Sequence, residues 1–220
     1  FQYIHDLGIR AVEFDVRQLK DGELIIMHDD NFLRTAGTDQ SLYDLDSTQL
    51  EAYNQANIWM DWKKQVTPTL RQSLKIMQDF EHLEVEVKAV QTQAEAERLT
   101  QHLTQQLRGF EHSAVITSFD LKILQALQDQ HSTFKRGLLI EDDIQHLAIE
   151  QALKYDCCQI GWMNQLATDD LLKATQQANL AISVWTVNDI ERAKHLRDCG
   201  IDGLITDFPK MMLQHLIDVH

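Results

Sequence analysis

Apolar and polar positions alternate with period two over Ala11–Val16, so that Val12, Phe14 and Val16 share one face of an extended strand and Glu13 and Asp15 the other. The pattern returns at Leu83–Val87, where Leu83, Val85 and Val87 oppose Glu84 and Glu86. Further short β-rich runs are predicted at Leu24–His28, Val115–Ser118, Arg136–Ile140, Cys157–Gly161, Ala181–Thr186 and Gly203–Thr206. Helical spacing fills the intervals: Gln93–Leu107, a helix capped by Ser118 or Asp120 and ending near Asp129, Ile144–Leu153, Thr168–Ala178, Ile190–Cys199, and a last helix opened by Pro209. Another is predicted to start with Thr67 as cap and Pro68 at its first position, carrying Leu70, Leu74, Met77 and Phe80 on one face. Gln2–Leu7 reads as the tail of a helix closed by Gly8. From Asp29 to Thr67 the pattern weakens. That stretch is expected to be a loop-rich insertion, with a short helix over Ser47–Tyr53 and with Trp59 and Trp62 either capping a site or anchoring the segment.

Strict alternation of strand and helix implies a parallel sheet with helical crossovers, either a TIM (β/α)8 barrel or a doubly wound sheet. The glycine-rich turn of a dinucleotide fold is missing after the first strand. Acids on strand interiors favour the barrel, whose lumen takes strand side chains and whose chemistry sits at the C-terminal strand ends. Setting Leu24–His28 aside with the insertion, the count gives seven barrel strands. One domain, 1–220 with the insertion at 29–67, is the simplest division for 220 residues that are 44% hydrophobic.

Two carboxylates sharing a buried face are unfavourable unless a cation or donors compensate, and a hard divalent metal is the simplest compensation. An edge strand with a solvated acidic face would show the same alternation. Active residue types recur at strand ends, however: Glu13 with Asp15, Glu86 with Lys88, Ser118-Phe119, Trp185 to Asn188, and Thr206-Asp207. His28 follows the second apolar run, and histidine is the side-chain type suited to exchanging protons near neutral pH. Glu84, two residues before Glu86, is expected deeper in the lumen in a structural role. The remaining histidines, such as His102, His112, His131 and His146, fall without acidic partners at ligand spacing and read as surface residues.

Net charge −14 and a pI near 5.0 exclude the basic footprint of a nucleic-acid binder. Cys157, Cys158 and Cys199 form no disulfide framework or zinc-ligand spacing, with Cys157 and Cys158 expected on a strand, one thiol inward and one outward. No apolar run approaches the roughly 18–20 residues needed to span a bilayer.

Gly8-Ile-Arg-Ala-Val-Glu13-Phe-Asp15-Val, Lys20-Asp-Gly, His28-Asp29-Asp30, Arg34-Thr35, Pro68-Thr-Leu70, Glu86-Val-Lys88, Ser118-Phe119, Trp185-Thr-Val-Asn188 and Gly200-Ile-Asp-Gly-Leu-Ile-Thr-Asp207-Phe-Pro209, in that order, resemble the glycerophosphodiester phosphodiesterase family. The resemblance implies a barrel that hydrolyses glycerophosphodiesters to sn-glycerol 3-phosphate and an alcohol. It makes Glu13, Asp15 and Glu86 ligands of Mg²⁺ or Ca²⁺, His28 an acid/base, Lys88 a phosphate contact and Trp185 a pocket aromatic. It also implies a cytoplasmic enzyme. The chain departs from the family in lacking the opening His-Arg-Gly strand and the Glu-Asn-Thr segment after it. The barrel is therefore expected to stand open between the strand of Glu13 and the strand of Leu204, and this piece to be poorly stable and inactive alone. Cleavage of lysophospholipids by a related phospholipase D-type enzyme and a non-catalytic phosphate- or metal-binding barrel are the alternatives.

Overall fold

The computed structural model describes residues 1–216. A short helix α1 (Gln2–Asp6) leads through Gly8, in the left-handed conformation that ends it, into β1 (Ala11–Gln18). A turn returns the chain along β2 (Leu24–Ile26), antiparallel to the last residues of β1 through Val16–Ile26, Arg17–Ile25 and Gln18–Leu24. After this hairpin come β3 (Asn31–Phe32), α2 (Leu33–Ala36) and β4 (Thr38–Ser41), then two 3-10 turns at Leu42–Asp44 and Ser47–Ala52 and α3 (Leu70–Leu74).

From there strand and helix alternate: β5 (His82–Val87), α4 (Gln93–Gln106), β6 (Ala114–Ser118), α5 (Leu121–Asp129), β7 (Lys135–Ile140), α6 (Leu147–Lys154), β8 (Gln159–Met163), α7 (Asp169–Gln177), β9 (Ala181–Trp185), α8 (Ile190–Asp198), β10 (Gly203–Leu204) and α9 (Pro209–Leu216). The strands form one curled sheet in the order β10-β9-β8-β7-β6-β5-β1-β2, parallel throughout except for β2. Seven parallel strands thus make a barrel wall, as the sequence pattern implied. Among the described residues β1 and β10 do not pair, and the wall is open between them along a cavity of about 890 Å³ lined by Ile9, Val12, Glu13, Glu84 and Leu204 among others.

The apolar faces of the strands turn outward onto the helices. Phe14 and Val16 of β1 and Leu83, Val85 and Val87 of β5 pack with Ala96, Leu99 and Leu103 of α4, all nearly or fully buried. The other half of the wall buries Ile160, Trp162, Ile182 and Val184 against α6, α7 and α8. The polar faces of β1 and β5 are left to the lumen.

Several boundaries differ from the periodic pattern. Thr69, not Thr67, caps α3: its hydroxyl accepts from Gln72 N at 3.2 Å and Gln72 Oε1 accepts from Thr69 N at 2.9 Å. Pro68 stays outside the helix, where its carbonyl accepts from Ile26 N. Cys157 and Cys158 precede β8 instead of opening it, because Cys157 N bonds Ala152 O at the end of α6. Cys157 is buried and Cys158 half-buried. The segment 29–67 is more ordered than its weak pattern implied. Phe32, Leu42, Leu45 and Leu50 form a small core there with Leu19, Ile25 and Met27 from the hairpin before it, and Phe32 is stacked on Tyr53 at 4.3 Å. Trp59 and Trp62 do not anchor it, being 51% and 68% exposed.

Candidate active site

The register of β1 on β5 sets Glu13 beside Glu84 and Asp15 beside Glu86. Two-residue periodicity sends all four toward the lumen while Phe14, Val85 and Val87 face the helices. Carboxylate oxygens of Glu13, Asp15 and Glu86 lie within 4.8 Å of one another. Lys88, one residue beyond β5, reaches back over them: its Nζ is 2.6 Å from Asp15 Oδ1 and in contact with Glu86 Oε1. Burial disfavours the ammonium, but its bonds to Asp15 and Glu86 outweigh that and hold its pKa above the ordinary lysine value. Burial raises Glu86 against the pull of Lys88. Glu13 is pushed up to about 8, first by burial and then by the charges of Asp15, Glu86 and Glu84.

Glu13 Oε1 is also buried with no hydrogen-bond partner among the described residues. An orphaned carboxylate oxygen beside two others is what an oxygen-liganded cation would satisfy. Bonds of about 2.0–2.6 Å put opposite ligands roughly 4–5 Å apart, the spread found here. The residues fit a hard divalent ion.

His28 follows β2, and Met27 N donates to Asp15 O at 3.0 Å, which brings His28 to the Asp15 end of β1. Its ring is 63% exposed, with Nδ1 2.7 Å from Asp29 Oδ1. Arg34 donates Nε to Asp29 Oδ2 at 2.6 Å. The guanidinium, against some burial, and the His28 ring hold Asp29 below the usual carboxylate range. A carboxylate can only accept, so Nδ1 carries the hydrogen and, in the neutral ring, Nε2 carries none. Trp185 ends β9 half-buried, edge-on to Phe119 at 5.4 Å, with Nε1 donating to Gly161 O.

A model of the glycerophosphoryl diester phosphodiesterase family matches residues 1–211. The chain belongs to that family. A glycerophosphodiester phosphodiesterase of Caldanaerobacter subterraneus subsp. tengcongensis is 24% identical over 218 residues, covering 97% of this chain and 88% of that protein. One from Bacillus altitudinis is 22% identical, covering 95% and 87%. Among solved structures, an Oleispira antarctica phosphodiesterase in complex with the product sn-glycerol-3-phosphate superposes with a TM-score of 0.84 at 20% identity, covering 96% of this chain and 86% of that one. A Thermotoga maritima glycerophosphodiester phosphodiesterase gives 0.79 at 22% identity, covering 97% and 88%. These structures share the barrel fold.

The polar strand ends of this glycerophosphoryl diester phosphodiesterase family member do not all meet. Ser118 Oγ donates to Val87 O at 2.7 Å and accepts from Asp120 N, which ties a loop to the wall. Asn188, Thr206 and Asp207 bond one another at the ends of β9 and β10. Glu84 has the structural surroundings its depth implied: Ser183 Oγ donates to it from across the lumen at 2.9 Å, and Gln159 Nε2 donates to Ser183 Oγ. The histidines need a correction. His5 lies 3.0 Å from Asp79, His82 3.6 Å from Glu84 and His195 2.8 Å from Asp169, because packing joins residues far apart in sequence. Asp29 and Arg34, which fix the ring of His28, were not singled out for that role. The signal was present in His28-Asp29, where a histidine is followed directly by an acceptor.

Proposed function

We propose that this protein hydrolyses glycerophosphodiesters to sn-glycerol 3-phosphate and an alcohol, with a divalent metal, Mg²⁺ or Ca²⁺, held by Glu13, Asp15 and Glu86. The observation that carries this reading is the convergence of three carboxylates on one point with a buried, unpartnered oxygen on Glu13. The bound ion would place positive charge against the non-bridging phosphate oxygens, where a phosphodiester needs it. Lys88 adds a second positive charge from the same rim and serves as the phosphate contact. His28, its ring fixed through Nδ1 by Asp29, exchanges a proton through Nε2 with the glycerol hydroxyl or with the departing alcohol. Trp185 and Phe119 offer an apolar wall for the part of the substrate that does not react. Three free thiols suit the reducing cytoplasm. Among the described residues no helix is long and apolar enough to cross a membrane.

The test is release of sn-glycerol 3-phosphate from glycerophosphocholine by the protein, lost with a chelator and restored by Mg²⁺ or Ca²⁺. Product formation indifferent to chelation would count against the metal, and absence of product with every head group against the reaction. A second reading, cleavage of lysophospholipids, draws on the tip of the 29–67 segment, where Ile58, Trp59, Met60 and Trp62 are 54%, 51%, 97% and 68% exposed. Faster turnover of lysophosphatidylcholine than of glycerophosphocholine would favour it.

A further inference from the structure

A second set of ligating atoms converges on the outer helices. Asp169 is the first residue of α7, while His195 and Cys199 lie four apart at the end of α8, a spacing that puts two side chains on one helix face. His195 Nε2 is 2.8 Å from Asp169 Oδ1, Cys199 Sγ is 3.6 Å from His195 Nε2, and Sγ is 3.9 Å from Asp169 Oδ1. We propose that Asp169, His195 and Cys199 form a second cation site, for a borderline divalent ion such as Zn²⁺, independent of the carboxylate cluster at the mouth.

Tetrahedral zinc with bonds of about 2.0–2.1 Å to nitrogen or oxygen and about 2.3 Å to sulfur sets its ligand atoms roughly 3.3–3.6 Å apart. The three separations bracket that range, so an ion enters by parting His195 from Asp169 by about half an ångström while Cys199 closes in. The donor set also discriminates. Thiolate, imidazole and a single carboxylate suit zinc or cobalt, whereas the all-oxygen cluster of Glu13, Asp15 and Glu86 suits magnesium or calcium. The frame that holds the ligands is already tied. Gln176 Nε2 donates to Cys199 O at 2.9 Å and to Gly200 O at 3.1 Å. At the other end of α8, Arg192 donates to Asn164 Oδ1 at 2.9 Å and to Ala167 O at 2.6 Å, just before α7. Asp169 and His195 are open to solvent and Cys199 partly so, which leaves the fourth position to water. Such an ion would clasp α7 to α8 on the outside of the barrel without touching the mouth.

The metal-free, reduced protein is titrated with Co²⁺, whose thiolate complexes absorb in the near ultraviolet, and the melting temperature is followed with Zn²⁺. One equivalent of Co²⁺ bound at micromolar concentration with a thiolate band is expected, together with a Zn²⁺-dependent rise of a few degrees in melting temperature. Cys199→Ser and His195→Gln should abolish both effects while keeping the native circular dichroism. Asp15→Asn and Cys158→Ser should keep them. A missing band, binding only at millimolar Co²⁺, a band that survives Cys199→Ser, or one lost in Cys158→Ser would each overturn the proposal.

Discussion

Glu13 and Glu84 stand side by side on paired strands, are the same residue type and both point into the lumen, yet their surroundings are opposite. Glu84 meets a hydroxyl donor from Ser183 and an imidazole from His82. Glu13 has an oxygen that nothing among the described residues satisfies, and three neighbouring carboxylates press on it. Buried acids are tolerated when donors or a cation answer them. On the proposed reading, the contrast separates an acid the fold has answered from one it leaves for a ligand.

Neutralising each glutamate in turn gives the sharpest test. Glu13→Gln should lower kcat/KM about a thousandfold, near 4 kcal/mol of transition-state stabilisation, while the chelated protein melts no lower than wild type. Glu84→Ala should do the reverse. Loss of the acceptor for Ser183 plus a small cavity should lower stability by about 2–3 kcal/mol, with kcat changed severalfold at most. Steady-state kinetics and thermal melts on the same two variants check both. Equal loss of stability in the two would erase the distinction drawn here.

The same comparison predicts a pH effect. The folded pKa of Glu13 is raised to about 8 from an ordinary value of 4.5, so between those values the folded chain holds a proton that the unfolded chain has released. Stability of the chelated protein should therefore fall as pH rises from about 5 to 8, with a contribution of at most one proton, about 1.4 kcal/mol per pH unit. Urea midpoints across that window, with and without Mg²⁺ and in Glu13→Gln, measure it. The variant and the loaded protein should both lack this component. Ser183→Ala should have the smallest effect, about 1 kcal/mol, since Glu84 keeps His82 nearby.

The strands that carry the carboxylates were legible because a two-residue alternation of acids with valine, leucine and phenylalanine has no helical counterpart; β1 and β5 sit within two residues of the predicted limits. Lys88 was legible as a charge on the same strand face as Glu86, but its reach to Asp15 depends on a strand pairing that local pattern does not encode. The β3–β4 pair is too short for any period to register, and two of the side chains packed beside it, Phe32 and Tyr53, come from well-separated positions in the segment. The His195 and Cys199 pair could be read from helical spacing, whereas Asp169 could not, since it arrives on another helix. Cys157 misled because a β-favouring residue closes α6 instead of opening β8.

The pairing of β1 with β5 also bears on how the chain comes to its native state. Everything from the β2 hairpin to α3 intervenes between Asp15 and Glu86, so their encounter closes a long loop before any local reward, a slow kind of contact. A slip of one residue would swing Glu84 and Glu86 onto the helix side and place Val85 in the lumen. Uptake of the proposed divalent ion at the mouth would thus be a clock for folding. It should begin only once these two strands have found their rung-by-rung match, and it should lag the return of helical circular dichroism during refolding.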